Sequence, residues 1–179
     1  MIRAACLAAL LITGPAFAEP VPEPSDYRED EYRAPVPDTL AGATVVDAVE
    51  AHDLWQSGNV VFVDVLPRPP KPKNLPEGTI WRERPRLSIP GSIWLPNVGY
   101  GRIAEVTDQW FRDGLTNATG EDTSRPVLFF CLANCWMSWN AAKRALEYGY
   151  TDVYWLPGGT DTWEFEEFPL AEITAQPEP

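Results

Sequence analysis

The 179-residue chain has little of what metal sites are made from: one histidine, two methionines and three cysteines. Zinc and transition-metal centres draw several such ligands at short spacing, and His52 has no cysteine, histidine or paired acid at ligand spacing beside it. No metal site is expected, and His52 reads as a residue of a surface helix. Basic residues are also few, 14 against 26 acidic, for a formal net charge of −12. Such a balance argues against nucleic acid as a partner, since phosphate binding needs clustered cations. No stretch approaches the run of about 18 apolar residues that a membrane-spanning helix requires, so no membrane span is expected. Three cysteines are too few for the disulfide framework of a small secreted domain.

What is present begins with a leader. Met1 to Ala18 carries Arg3, an apolar run from Ala4 to Ile12, a break at Gly14 and Pro15, and Ala16-Phe17-Ala18 as a cleavage site. This is the pattern of a secretory signal peptide cleaved after Ala18, and it places the mature chain in the periplasm. Cys6 precedes most of the apolar run, which is the wrong position for a lipoprotein cysteine, and it leaves with the leader. Losing Arg3 as well takes the net charge to −13 and leaves 161 residues, enough for one domain with a proper core. Residues 19–40 are rich in proline and acid and form an N-terminal arm, which Tyr27 and Tyr32 either pin to the domain or leave as a solvated tail. Residues 41–170 form the domain, and 171–179 read as a flexible tail.

Within the domain, strand and helix patterns alternate. Thr44–Trp55 sets Val45, Val49 and Leu54 near one helical face, with Gly58 as the stop. Val60–Val65 is a β-branched strand with Asp64 near its end. Ile89–Pro96 is a turn and short strand, Ile103–Leu115 a helix, and Val127–Phe130 a buried strand. Ala141, Ala142, Ala145 and Leu146 recur at helical spacing, Val153–Leu156 is a last strand, and Pro157-Gly158-Gly159-Thr160 turns into a helix containing Trp163. The alternation implies an α/β fold with a parallel sheet. The eight tryptophans read as large core side chains rather than a ligand cage.

Cys131 falls where the strand Val127–Phe130 stops and a helix is about to begin. The unpaired N–H groups of a helix start favour a sulfur anion, thiolate or persulfide. Cys135 lies four residues on, within reach for a disulfide, with Asn134 in the intervening loop. Trp136 and Trp139 would wall the site, and Ser138 near the helix start reads as a cap. Two readings stay open: a resolving pair, in which Cys135 displaces sulfur from Cys131, and a permanent structural disulfide. The segment Leu66–Arg86 adds Arg68, Lys71, Lys73, Arg82, Arg84 and Arg86 against Glu77 and Glu83. In a parallel sheet it emerges at the same edge as Cys131, where it either guides an anionic partner or is a solvated loop.

The order of Asp64 in "VVFVDV", "IPGSIWLP" at Ile89–Pro96, the strand–cysteine loop–helix at Val127–Leu146 and "GYTDVYWLPGGTDTW" at Gly149–Trp163 resembles a rhodanese-like domain. The resemblance implies a three-layer α/β sandwich around a mainly parallel sheet, with a persulfide carried at Cys131. Through "YREDEYRAPVP" at Tyr27–Pro37, "IPGSIWLPNVGYG" and "CWMSWNAAKRAL" at Cys135–Leu146, the chain is also similar to the exported PQQ-dependent catabolism-associated CXXCW motif proteins. Its own spacing is Cys-x-x-x-Cys-Trp, and the glycine and arginine usual in a rhodanese loop are replaced by Asn134, Cys135, Trp136 and Met137. Lys143 and Arg144 are the nearest substitutes for that arginine, two turns into the helix. The resemblance implies either sulfur or redox chemistry at Cys131/Cys135 beside PQQ-dependent alcohol oxidation, or a non-catalytic module for a quinoprotein dehydrogenase or PQQ. The partners implied are a small anionic sulfur donor or a periplasmic redox protein. No cofactor is required, and PQQ is the one with which an association is implied.

Overall fold

Apolar runs too short to be helices and flanked by turn residues become the central strands. The computed structural model describes residues 20–80 and 85–179. The leader with its cleavage site, and Arg82 and Arg84, lie outside the described residues. Strands β1 (Thr44–Val45), β2 (Val61–Asp64), β4 (Ile93–Trp94), β5 (Val127–Phe130) and β6 (Val153–Leu156) form one parallel sheet in the order β1-β6-β5-β2-β4. Two short strands, β3 (Arg86–Ser88) and β7 (Ala171–Ile173), pair antiparallel beside it. The fold is the expected α/β sandwich around a mainly parallel sheet.

Helices α1 (Ala48–Ser57), α2 (Glu105–Thr119), α3 (Trp136–Glu147) and α4 (Gly159–Phe165) cover both faces. Side chains of a strand alternate between faces, and β5 shows the consequence. Val127 and Phe129 pack with Phe111 and Leu115 of α2 and Trp139 of α3, whereas Leu128 and Phe130 pack with Ala51 of α1 and Trp163 of α4. All four β5 side chains are fully buried. Burying each is worth about 1.5–3 kcal/mol, which fixes the register of the strand that carries Cys131.

The assignment of Val45 is corrected. Val45 is not on a helical face: the β-branched run Thr44–Val45 pairs with Tyr154 and Trp155 of β6, and the helix begins only at Ala48. Asp47 decides the boundary. Its carboxylate accepts from the N–H groups of Val49 and Glu50, and Glu50 reaches back to the Asp47 N–H, a complete capping box. Ala48 and Ala51 form the buried face, and Val49 is half exposed. Gly58 ends the helix in the left-handed region, φ 69°.

The two terminal segments are tied to the domain. In the arm, Tyr27 bonds Glu147, and the backbone of Arg28 is held by Asn140. The segment from Ala171 contains β7, the Gln176 N–H donates to the Trp94 carbonyl, and Trp110 Nε1 donates to the Pro177 carbonyl at 2.7 Å. On composition alone the arm is either pinned or solvated, and residues 171–179 read as a flexible tail. The bonds that hold them come from distant residues, which a local compositional reading does not include.

Candidate functional site at the end of strand β5

The parallel sheet brings the ends of β5, β2 and β6 to one edge, and Cys131 lies there directly after Phe130. The loop Leu132–Asn134 turns back through Asn134, which takes φ 52°, a left-handed conformation that asparagine tolerates. Cys135 is the N-cap of α3. Cys131 and Cys135 are joined as a disulfide with Cα atoms 6.4 Å apart. Neither is open to solvent, at 0% and 2% exposure.

Two tryptophans share the buried cluster that holds the cysteine pair. Trp136 and Trp139 are buried and meet edge to face at 5.5 Å. Trp139 Nε1 donates to the Thr39 carbonyl, while Trp136 Nε1 is buried with no hydrogen-bond partner among the described residues. Ser138 is not the cap. It lies inside the first turn, donates to the Cys135 carbonyl at 3.1 Å and accepts from Trp155 Nε1 at 3.0 Å, linking α3 to β6. Asn134 is exposed on the loop surface.

The Cys131 carbonyl is clamped from the other side. It accepts from the Thr160 N–H at 3.0 Å, from Thr160 Oγ1 at 3.3 Å and from Arg86 Nη2 at 3.4 Å. The Ala133 N–H donates to Asp161 at 3.0 Å, so the start of α4 holds two points of the cysteine loop. Gly159 makes this approach possible: it has φ 52°, and a Cβ there would stand 2.5 Å from the Cys131 carbonyl oxygen.

Of the six basic residues of the insert, Arg86 sits within this network. Its Nε lies 2.8 Å from Asp64 Oδ2, and Asp64 also accepts from Ser88 Oγ at 2.6 Å and the Leu66 N–H at 2.9 Å. Burial pushes the Asp64 carboxyl above its ordinary range, opposed first by the Arg86 charge and then by these hydrogen bonds. Arg68 pairs with Glu178 at 3.2 Å. Lys71 and Lys73 are exposed on the loop. A cleft of about 390 Å³ lies between this loop and α4, lined by Leu66, Trp94, Arg86, Leu132, Thr160 and Asp161 among others.

Lys143 and Arg144 do not replace a loop arginine. Arg144 is buried and donates to the carbonyls of Val98, Tyr100 and Gly101, bracing the loop before α2. Lys143 faces Glu147 and the rings of Tyr27 and Trp139.

Arm residues beside the cysteines were missed at the level of sequence. Arg33 pairs antiparallel with Cys135, the Trp136 N–H donates to the Tyr32 carbonyl at 2.9 Å, and the Arg28 guanidinium stands 5.3 Å over the Trp136 ring. One of the helix-start N–H groups expected around the thiols is therefore already taken by the arm. The signal available was the run "YREDEYR", aromatic and cationic within an otherwise acidic segment.

Among the described residues, no group of three or more histidine, cysteine, aspartate or glutamate residues is placed to hold a metal ion, and no helix is long and apolar enough to cross a membrane.

Comparison with known proteins places this geometry. The chain is similar in structure to the rhodanese-like domain of an Anabaena sp. protein, at 15% identity over 75% of this chain and 81% of that one, with a TM-score of 0.45. It is similar to the polysulfide-sulfur transferase of Wolinella succinogenes, at 19% identity over 75% and 82% of the two chains, with a TM-score of 0.43. An EanB variant in complex with ergothioneine matches at 23% identity and a TM-score of 0.51, over 81% of this chain and 34% of that longer one. No curated protein matches the sequence. The family model for the rhodanese-like domain matches residues 47–166, a span that begins at the cap of α1 and ends just after α4, and the chain belongs to that family.

Proposed function

We propose that this chain is an exported sulfur-handling protein in which Cys131 accepts a sulfane sulfur and Cys135 resolves it. The observation that carries the reading is the direct bond between Cys131, at the end of the central strand, and Cys135, at the start of α3. In the reduced state, the Cys131 thiolate attacks the sulfane sulfur of a persulfide or polysulfide donor. A persulfide forms on Cys131, and the donor leaves as a thiolate. The Cys135 thiolate then attacks Cys131 Sγ, the S–S bond to the outer sulfur breaks, and hydrosulfide departs. The two cysteines are oxidised to the disulfide while the sulfane sulfur is reduced to sulfide. Returning to the thiols takes two electrons and two protons from a dithiol partner.

The quinoprotein connection implied by the CXXCW-type resemblance enters through a partner protein rather than through PQQ bound to this chain. A cofactor rich in carboxylates needs converging cations. Of the basic insert, Arg86 and Arg68 face Asp64 and Glu178, which supports a connection through a partner protein. The periplasmic leader supports the same compartment for both proteins.

A second reading has its own observation. Both sulfurs are buried, which suits a permanent disulfide in a binding module. Intact-mass analysis separates the two readings. The chain is reduced, offered an organic persulfide and weighed. In the cycling reading, Cys135→Ser gains one sulfur on Cys131, while the parent releases sulfide and returns to the disulfide. No sulfur gain in the reduced Cys135→Ser chain, and no sulfide from the parent, leaves the accessory module as the function.

A further inference from the structure

The arm makes more contacts with the disulfide region than a linker requires. The Tyr32 carbonyl takes the Trp136 N–H, Arg33 pairs with Cys135, and Tyr32 Oη accepts from the Gly101 N–H at 3.1 Å. Asn140, on α3, grips the Arg28 backbone at both its N–H and its carbonyl. The Arg28 side chain lies over Trp136 and is ion-paired with Glu31 at 2.8 Å, while Glu29 pairs with Arg102 at 2.8 Å. Tyr32 meets Tyr100 edge to face at 5.3 Å. Beneath these contacts are a disulfide and two tryptophans that water does not reach.

We propose that Tyr27–Arg33 is a strap that controls entry of an external dithiol to the Cys131–Cys135 disulfide. Thiol–disulfide exchange requires a thiolate to approach a sulfur in line with the S–S bond, and the buried pair offers no such approach while the strap is seated. The other boundaries of the site are β5, α3 and the loop clamped by Thr160 and Asp161, all of which belong to the packed domain. The strap is held mainly by hydrogen bonds and rim ion pairs, the kind of contact that opens locally without global unfolding. Opening it admits the dithiol, which gives up two electrons and two protons and closes to its own disulfide while Cys131 and Cys135 become thiols. The strap's role in turnover rests on the cycling reading above; its control of access is measured without it.

The test is the rate of reduction of the purified chain by dithiothreitol under native conditions, read by alkylation and intact mass. The double variant Arg28→Ala/Tyr32→Ala loses the cover over Trp136 and the bond from Gly101 and keeps the backbone contacts. It should be reduced about tenfold faster than the parent, and exchange of the Trp136 amide hydrogen should accelerate with it. Phe62→Leu, on the opposite face of the sheet, lowers global stability without touching the strap and should leave the reduction rate near that of the parent. Equal reduction rates in the parent and the double variant overturn the proposal, and so does an acceleration in Phe62→Leu that matches the double variant. Failure to transfer sulfur would count against the cycle and would leave these rates unaffected.

Discussion

The carboxamide of Asn140 holds the backbone of Arg28 at both ends: Oδ1 accepts the Arg28 N–H at 3.0 Å, and Nδ2 donates to the Arg28 carbonyl at 2.8 Å. The same Nδ2 reaches the Gly99 carbonyl at 2.9 Å, so one buried side chain on α3 joins the arm and the loop before α2. Replacing Asn140 with Ala removes three bonds and leaves buried backbone groups unpaired. The expected loss is about 3 kcal/mol, at roughly 1 kcal/mol per bond, measured by urea denaturation. Asn140→Asp loses both donations and sets a buried carboxylate against the Arg28 and Gly99 carbonyls, and at neutral pH should be less stable than Asn140→Ala.

Arg86 and Asp64 form a buried pair whose two members should not be equivalent to remove. Arg86→Met leaves a carboxylate buried without its cation, at an expected cost of about 3–5 kcal/mol at neutral pH, whereas the double variant Asp64→Asn/Arg86→Met should be closer to the parent. The pH dependence has a definite sign. Without Arg86, burial alone raises the folded-state pKa of Asp64 above its unfolded value. The single variant is then relatively most stable below about pH 4 and loses stability as pH rises through the folded pKa. Denaturation midpoints from pH 3 to pH 8 check this, and a flat difference from the parent across that range would remove the buried-charge explanation.

Gly159→Ala is expected to disturb the cysteine loop from α4. The new Cβ meets the Cys131 carbonyl carbon and oxygen, and the left-handed φ of 52° adds strain, together about 1–3 kcal/mol. Gly58→Ala has the same kind of φ and open space around it, so it bears the backbone cost alone. A larger loss in Gly159→Ala than in Gly58→Ala is the result that isolates the contact.

Asp108 supplies an acid-side dependence. Burial would push its carboxyl up, but hydrogen bonds from Tyr148 and Arg112 outweigh burial and hold it below the ordinary range. A depressed pKa contributes stability above the unfolded value of about 4, and that stability is lost as pH falls through the folded pKa. Asp108→Asn should therefore show a smaller loss between pH 4 and pH 2 than the parent, followed by thermal unfolding at each pH.

The central strands were legible because their composition has only one good solution: Val127–Phe130 cannot be solvated and is too short for a buried helix. The same holds for the position of Cys131, since a strand running into a turn fixes where the thiol stands. Val45 was misplaced because a β-branched residue three before a helical pattern fits both periods, and the deciding fact, pairing with Trp155, is 110 residues away. The partnership of Arg86 with Asp64 spans a proline-rich loop with no periodicity to follow. The arm's seat was hidden for a similar reason. Its backbone bonds to Asn140 and Trp136 leave no mark on the sequence, and the partners of its side chains, Glu147 for Tyr27 and Gly101 for Tyr32, lie far along the chain.

The burial of the cysteine pair imposes an order of events on biogenesis. The arm is synthesised before every residue it touches on α3, and contacts across more than 100 residues close late in folding. An oxidant must reach Cys131 and Cys135 to join them. The S–S bond therefore forms while the N-terminal segment is undocked, and a segment made well before the two cysteines must seat after they are joined or lift to admit the oxidant.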